Sequence, residues 1–271
     1  MKPSILLILL SWAAPAALHG AVFMLDFGPT TASGAALTNS PYHTANPSFT
    51  QSSWNTIATG EPAADASSGL VYSDGTAATG VGVNLGITAE NSTLISLGTQ
   101  PARSNALGLA QNAGVYAGSS VGRDGIFSGG TTSNISLGVQ ITGLAAGIYE
   151  VYIISRNTNT SITHTVANYA GAGTAGADFD YAGYSSSSVS YALGSNIATA
   201  SWVAAGNADA NYTKINVTLG AGQALNIAAD SLTPEEARGF LNAIQVVQVP
   251  EPGSAALLSL LAAPFLLRRK R

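Results

Sequence analysis

The segment 176–184, GADFDYAGY, places two carboxylates two residues apart in a glycine-rich stretch. Asp178 and Asp180 could direct oxygen atoms at one hard cation, and backbone carbonyls could complete the roughly six to eight ligands that calcium takes. The spacing of an EF-hand loop is absent. Asp178 and Asp180 are therefore the candidate metal ligands, and the cofactor that they could hold is a structural calcium ion.

A second set of residues has the chemistry of a carbohydrate site. A sugar needs an aromatic ring for its apolar face and polar side chains for its hydroxyls. The candidate ligand-binding residues are Trp54, Asn55, Asp74, Arg156 and Asn157, with Tyr72, Tyr181 and Tyr184 as further rings. The alternative for Trp54 is that its side chain plugs one end of the fold.

Acid–base catalysis on a glycosidic bond would need two carboxyl groups about 5 to 9.5 Å apart. The acidic residues considered for such a pair are Asp65, Asp74, Asp124, Glu150, Asp178 and Asp180. Solvated turn carboxylates are the alternative reading of all six. The three histidines, His19, His43 and His164, are too scattered for a His-rich metal site, and the serine-rich loop GYSSSSVS has no sharp elbow for a nucleophile. We therefore predict no catalytic residue and no enzyme.

Charge is scarce, at 9% of residues, while 46% are hydrophobic. Between Ala21 and Val249 there are five basic and thirteen acidic residues, a formal net charge of −8. Phosphate binding needs clustered Lys and Arg, so a nucleic-acid partner is not expected. The sequence has no cysteine and therefore neither disulfides nor a thiolate metal site.

Period-2 alternation of apolar residues predicts strands along most of residues 21–248. In the clearest stretch, Ile135–Ile141 and Tyr149–Ile153 flank a turn at Gly143–Gly147, which predicts a β-hairpin. Further strands are predicted at Val22–Phe27, Val81–Ile87, Ile162–Asn168, Ser188–Leu193, Ile197–Val203, Tyr212–Leu219, Ala224–Ala228 and Leu241–Val249. Short helices are predicted at 102–111 and 233–240. The pattern favours one all-β domain, an antiparallel β-sandwich spanning residues 21–248.

Residues 1–20 have the layout of a secretory signal peptide. Lys2 precedes an apolar stretch from Ile5 to Trp12, and small residues follow. A cleavage site near Gly20 fits this pattern. The sequence thus predicts export through the inner membrane.

The last 23 residues, 249–271, combine an extended proline-containing segment, an uncharged run and a basic terminus. Gly253–Leu267 could form a short transmembrane helix, which at about 1.5 Å per residue rises about 22 Å against a hydrocarbon core of about 30 Å. Four terminal basic residues would keep that end cytoplasmic. The prolines keep the preceding peptide extended and accessible to a processing enzyme.

This tail resembles the PEP-CTERM sorting signal of bacterial exported proteins. The residues that carry the resemblance are Pro250, Glu251, Pro252, Arg268, Arg269, Lys270 and Arg271. The resemblance implies an exosortase-type transpeptidase as partner, a transient membrane anchor, release to the cell surface or extracellular matrix, and a link to exopolysaccharide. An ordinary tail anchor with a chance Pro-Glu-Pro is the alternative.

The order of motifs in the domain resembles galactose-binding-like jelly-roll domains. The matching pieces are Leu25–Gly28, Trp54–Asn55, Asp65, Ser68–Gly69, Asp124–Phe127, Ser155–Asn157 and Phe240–Val246. The resemblance implies a jelly-roll fold and raises the expectation of a structural calcium.

The expected function is that of an exported surface or matrix protein, non-catalytic, that binds carbohydrate or exopolysaccharide or serves a structural role. The alternative is a secreted polysaccharide-acting hydrolase that uses an acidic pair.

Overall fold

The computed structural model describes most of the chain between the two termini. The residues described are 21–29, 31–57, 69–99, 103–106, 114–117, 120–130, 133–157, 163–191, 200–234 and 237–250. The expected signal peptide and the sorting tail from Glu251 onward lie outside these ranges. Within them, no helix is both long and apolar enough to cross a membrane.

One sheet has five strands. Its order is β12 (Thr213–Leu219), β8 (Gly147–Ile154), β15 (Ala243–Val249), β1 (Val22–Phe27) and β2 (Asn55–Ile57). Strands β1 and β2 run parallel, with Leu25 opposite Asn55, and the other neighbours are antiparallel.

The second sheet has seven antiparallel strands. Its order is β10 (Phe179–Asp180), β4 (Leu94–Leu97), β3 (Gly82–Thr88), β7 (Leu137–Thr142), β13 (Gln223–Ser231), β9 (His164–Thr174) and β11 (Ser185–Tyr191). A small third sheet joins β14 (Gly239–Leu241), β6 (Asp124–Ser128) and β5 (Arg103–Ala106).

The main hydrophobic core lies between the five-stranded and the seven-stranded sheets. Alternate residues of each strand face it, as Phe23, Leu25 and Phe27 do from β1 and Leu137, Val139 and Ile141 from β7. Each such side chain contributes roughly 1.5–3 kcal/mol through burial. The predicted all-β sandwich is therefore confirmed.

A second core covers the outer face of the five-stranded sheet. Segment 31–54, which includes helix α1 (Pro41–Ala45), packs Tyr42 and Phe49 against that face, beside Tyr116 and Trp202. Near it, Lys214 Nζ and Glu150 Oε1 form a partly exposed salt bridge of 2.6 Å.

A third cluster covers part of the outer face of the seven-stranded sheet, where Ile95, Phe179 and Tyr181 pack together. Two glycines beneath it make room. A Cβ on Gly138 or on Gly86 would lie 2.5 or 2.8 Å from Ile95 Cγ2. Ile95 therefore rests directly on the backbone of β3 and β7.

The expected hairpin between residues 135 and 153 is wrong in its pairing, although both strands exist. Strand β7 belongs to the seven-stranded sheet and β8 to the five-stranded sheet. The connection carries the chain across the sandwich, and at Gly143 (φ 76°) a Cβ would lie 1.9 Å from the carbonyl oxygen of Gly80. Alternation predicts a buried face, but it does not say which sheet supplies that face.

Three other expectations differ from the structure. Residues 103–106, expected to be helical, form β5, and 239–240, the end of the second expected helix, belong to β14. Residues 200–203, the described end of the expected strand Ile197–Val203, are not in a strand. In each case, tertiary contacts outweigh a weak local propensity.

A buried carboxyl group lies on the outer side of β1. The Oδ2 atom of Asp26 accepts a hydrogen bond from the backbone N–H of Ala32 at 3.1 Å, and Oδ1 is buried with no hydrogen-bond partner in the described part of the chain. Burial raises the pKa of Asp26 to about 8, against the lowering effect of the Ala32 bond, and the nearby Asp124 adds to the rise. Asp26 therefore carries a proton at neutral pH.

We predict that Asp26→Asn stabilises the protein selectively at high pH. The pKa of Asp in the unfolded chain is about 3.9, so the wild type loses stability as pH rises from about 4 to about 8. The variant does not, because its amide side chain carries no titrating group. Urea unfolding should show the variant a few kcal/mol more stable at pH 9 and close to wild type at pH 4. Asp209→Asn, at an exposed carboxylate, is the matched control. A pH-independent difference for Asp26→Asn would contradict the assignment.

Candidate functional site

A cleft of about 370 Å³ opens at the end of strand β13. Its walls are both polar and apolar, and include Asn91, Asn134, Asp230, Leu232, Thr233 and Pro234. Leu232 is 53% exposed. Such a mixture of an apolar surface with a few convergent polar groups is typical of ligand sites.

Backbone hydrogen bonds fix the two sides of this cleft. On one side, Leu232 N–H donates to the carbonyl of Thr165 at 2.8 Å, and Thr165 N–H donates to Thr233 Oγ1 at 2.8 Å. On the other side, Asn91 N–H donates to the carbonyl of Asn134 at 2.9 Å. Asn91 has φ 55°, a left-handed conformation that Asn tolerates better than most residues.

Asp230 is oriented by a chain of hydroxyl groups. Ser136 Oγ donates to Asp230 Oδ1 at 2.9 Å and accepts from the Tyr181 hydroxyl at 2.6 Å. Burial raises the pKa of Asp230, although its hydrogen bonds act in the opposite direction. The carboxyl group is thus held in one orientation at the base of the cleft.

Asn134 borders the same cleft and is partly exposed. Its Oδ1 atom is buried and has no hydrogen-bond partner within the described residues, so a ligand would reach this oxygen only if the side chain turned. Asp230 can accept hydrogen bonds from a polyhydroxylated ligand whose apolar face lies on Leu232.

General acid–base hydrolysis would need a second carboxyl group facing Asp230. Among the described residues that line the cleft, Asp230 is the one carboxylate. Glu235 and Glu236 lie outside the described residues.

The sequence-predicted aromatic platform, Trp54, packs against the second core and is partly buried. Its Nε1 donates to the carbonyl of Leu37 at 3.0 Å. Neighbouring Asn55 is buried and uses its whole side chain internally: Nδ2 donates to the carbonyls of Met24 (3.0 Å) and Val71 (2.8 Å), and Oδ1 accepts from Val71 N–H (2.8 Å). These contacts favour the plug alternative for Trp54 and a structural role for Asn55.

Arg156 and Asn157 also lie in the interior. Arg156 is 0% exposed, and its Cζ lies 3.7 Å from the centre of the Tyr116 ring. Burial lowers the pKa of Arg156 to about 10. Asn157 N–H donates to His164 Nε2 at 2.8 Å. A surface ligand could reach neither side chain without rearrangement of the fold.

The three remaining candidates are exposed carboxylates that accept hydrogen bonds within the protein. Asp74 Oδ1 accepts from Thr76 Oγ1 (2.6 Å) and Thr76 N–H (2.9 Å), which lower its pKa. Asp178 accepts from Leu97 N–H (2.8 Å), and Asp180 accepts from Ala182 N–H (3.0 Å). Among the described residues, no group of three or more His, Asp or Glu side chains could hold a metal ion. Calcium at Asp178 and Asp180 stays a prediction.

Residues 118–122, GSSVG, match the spacing G-x-S-x-G of a hydrolase nucleophile, which the loop GYSSSSVS does not. A nucleophile elbow requires a strand, a sharp turn and then a helix. Ser120 is buried, and the chain after it turns into strand β6. The match therefore lacks the structural context of a hydrolase.

The residues of the Asp230 cleft were not among the sequence candidates. Asp230 lies just after the predicted strand Ala224–Ala228, in the segment ADSLTP. The end of a buried strand followed by polar residues was the available signal. Asn91 and Asn134 carry no comparable signal, because only the fold brings them to Asp230.

No protein-family model matches the chain, and no curated protein matches it. Among solved structures, the chain is similar to one described as TmCBM61 in complex with β-1,4-galactotriose. The identity is 11%, the TM-score is 0.23, and the match covers 60% of this chain and 83% of the other. A superposition this loose carries no argument about fold or ligand.

We predict that Asn55→Ala destabilises the fold by about 2–4 kcal/mol, because it leaves one buried and two partly buried backbone groups without their partner. Urea unfolding measures this change. Asn207→Ala is the matched control, since Asn207 Nδ2 donates to the carbonyl of Ala204 at an exposed position. The control should change stability by no more than about 0.5 kcal/mol. Equal effects of the two substitutions would refute the structural role of Asn55.

Proposed function

We propose that this chain is an exported, non-catalytic, carbohydrate-binding protein of the cell surface or extracellular matrix. The observation that carries the proposal is the cleft in which an oriented Asp230 carboxyl group, the partly exposed residue Asn134 and exposed Leu232 converge. This combination matches a ligand with a hydroxylated rim and an apolar face.

Two finer features belong to the same proposal. The sandwich is a galactose-binding-like jelly roll. The order of the sequence motifs supports this interpretation, and so do consecutive strands, such as β7 and β8, that lie in opposite sheets. The tail 249–271 is a PEP-CTERM signal on which an exosortase-type transpeptidase acts, a reading supported by its three parts in order. On this proposal, exopolysaccharide is the class of ligand that is present at the site to which the protein is delivered.

We predict that Asp230→Asn weakens sugar binding about tenfold or more. A glycan array identifies bound glycans for the full chain, and isothermal titration with the strongest of them gives the affinity. Hydrogen bonds to charged groups contribute about 1.5–3 kcal/mol, and 1.4 kcal/mol is tenfold. The Asn side chain can still accept from Ser136, so folding is retained.

Asp209→Asn is the control for loss of a surface charge and should leave the affinity unchanged. If no glycan binds, or if Asp230→Asn binds as tightly as the wild type, the proposal fails.

The sorting signal has a separate test. Glu251→Ala, or deletion of Arg268–Arg271, should leave the tail uncleaved and the chain in the membrane fraction at a higher mass. Immunoblotting of membrane and surface fractions measures both. Ser254→Ala, a neutral change in the same tail, should be processed normally. Normal processing of the first two variants would exclude the sorting signal.

A further inference from the structure

A second cleft, of about 260 Å³, lies along the side of the sandwich, away from the residues of the Asp230 cleft. Strand β11 begins with Ser185 opposite Ala170, so residues 171–174 of β9 have no β11 partner. Strand β12, at the edge of the other sheet, supplies the facing wall with the exposed residues Asn216 and Thr218.

Tyr184 lines this cleft and lies along the bare backbone of β9. A Cβ on Gly171 would be 2.6 Å from Cγ and Cδ1 of the Tyr184 ring, and a Cβ on Gly173 would be 3.3 Å from the Tyr184 hydroxyl. The ring therefore spans from one glycine to the next on the same face of the strand.

The far end of the Tyr184 ring is anchored by buried amides. Asn226 Nδ2 donates to the Tyr184 hydroxyl at 2.9 Å, and Gln140 Nε2 donates to Asn226 Oδ1 at 2.9 Å. Both amide residues are fully buried. The ring is thus fixed before any ligand arrives, so binding would cost little side-chain entropy.

The cleft also has the polar groups that a neutral sugar needs. Asn216 can donate and accept, and Thr218 and Ser185 add hydroxyl groups. None of the described residues that line it is charged. These residues therefore offer no oppositely charged side chain to a phosphate, a metal ion or a charged peptide.

We propose that the Tyr184 cleft is a second carbohydrate site, which takes one neutral sugar ring against Tyr184 and bonds its hydroxyls through Asn216 and Thr218. This inference rests on the proposed function only for the class of ligand. The residues that line the Tyr184 cleft are separate from those that line the Asp230 cleft. Its volume is below the roughly 300–1,000 Å³ of sites for larger ligands, which fits a single ring. Two sites on one domain would let one molecule cross-link polysaccharide chains, with a gain in avidity.

The test is a titration of the ¹⁵N-labelled full chain with glucose, galactose, mannose and N-acetylglucosamine, followed by NMR chemical shifts. Single sugars bind weakly, with dissociation constants on the order of 1–10 mM, so concentrations up to about 50 mM are needed. Backbone signals of Gly171 and Gly173 and the side-chain amide of Asn216 report on this cleft. Signals of Asn91 and Asn134 report on the Asp230 cleft.

We expect saturable shifts at Gly171, Gly173 and Asn216 with at least one sugar. Gly171→Ala should weaken this binding tenfold or more, because its Cβ displaces the Tyr184 ring. Gly130→Ala is the matched control, since nothing lies within 4 Å of its Cβ and Gly130 lines neither cleft. Asn216→Ala, at an exposed position, tests the hydrogen bond without threatening the fold, and should weaken binding about fivefold.

Absence of shifts at the three reporter residues with all four sugars overturns the second site. Unchanged binding in both Gly171→Ala and Asn216→Ala overturns it as well. Shifts confined to Asn91 and Asn134 would leave the proposed function standing while removing this inference, so the two failures are distinguishable.

Discussion

Both clefts depend on direct contact between side chains and glycine backbone on the outer face of the seven-stranded sheet. Ile95 rests on Gly86 and Gly138, and Tyr184 lies along Gly171 and Gly173. Any side chain at these positions would push the covering segment away from the sheet. Because the segment 179–184 is seated this closely, Tyr181 reaches Ser136, and through it Asp230, while Tyr184 borders the other cleft.

The polar interior is built largely from neutral groups. Gln140 connects the β9–β10 turn to Asn226 by accepting from Gly176 N–H (2.5 Å) and donating to the carbonyls of Thr174 and Ala177 (both 3.2 Å). Asn168 donates to Ser155 Oγ (2.8 Å) and Thr213 Oγ1 (2.9 Å) between the two sheets. Amides and hydroxyls avoid the desolvation penalty of buried charges, which fits a sequence with 9% charged residues.

Alternation of apolar residues predicts most of the strands, including β1 at Val22–Phe27. It does not predict that β7 and β8 lie in opposite sheets, because both bury one face in the same core. The Asp230 cleft is harder still to predict, since residues 91, 134 and 230 meet only after folding. In the segment GADFDYAGY, the spacing of the aspartates predicts an ion site, yet the tyrosines are the residues that shape the two clefts. Nothing in a single sequence reveals that glycines on β9 leave room for one of those rings.

The crossing of the chain between the sheets at Gly143–Gly147 also has a consequence for how the chain folds. Neighbouring segments such as β7 and β8 do not pair, so few local hairpins are available to nucleate the sandwich. A topology dominated by contacts between distant residues folds slowly. Slow folding is compatible with the proposed export, because a chain that folds slowly stays extended while it passes through a secretion channel.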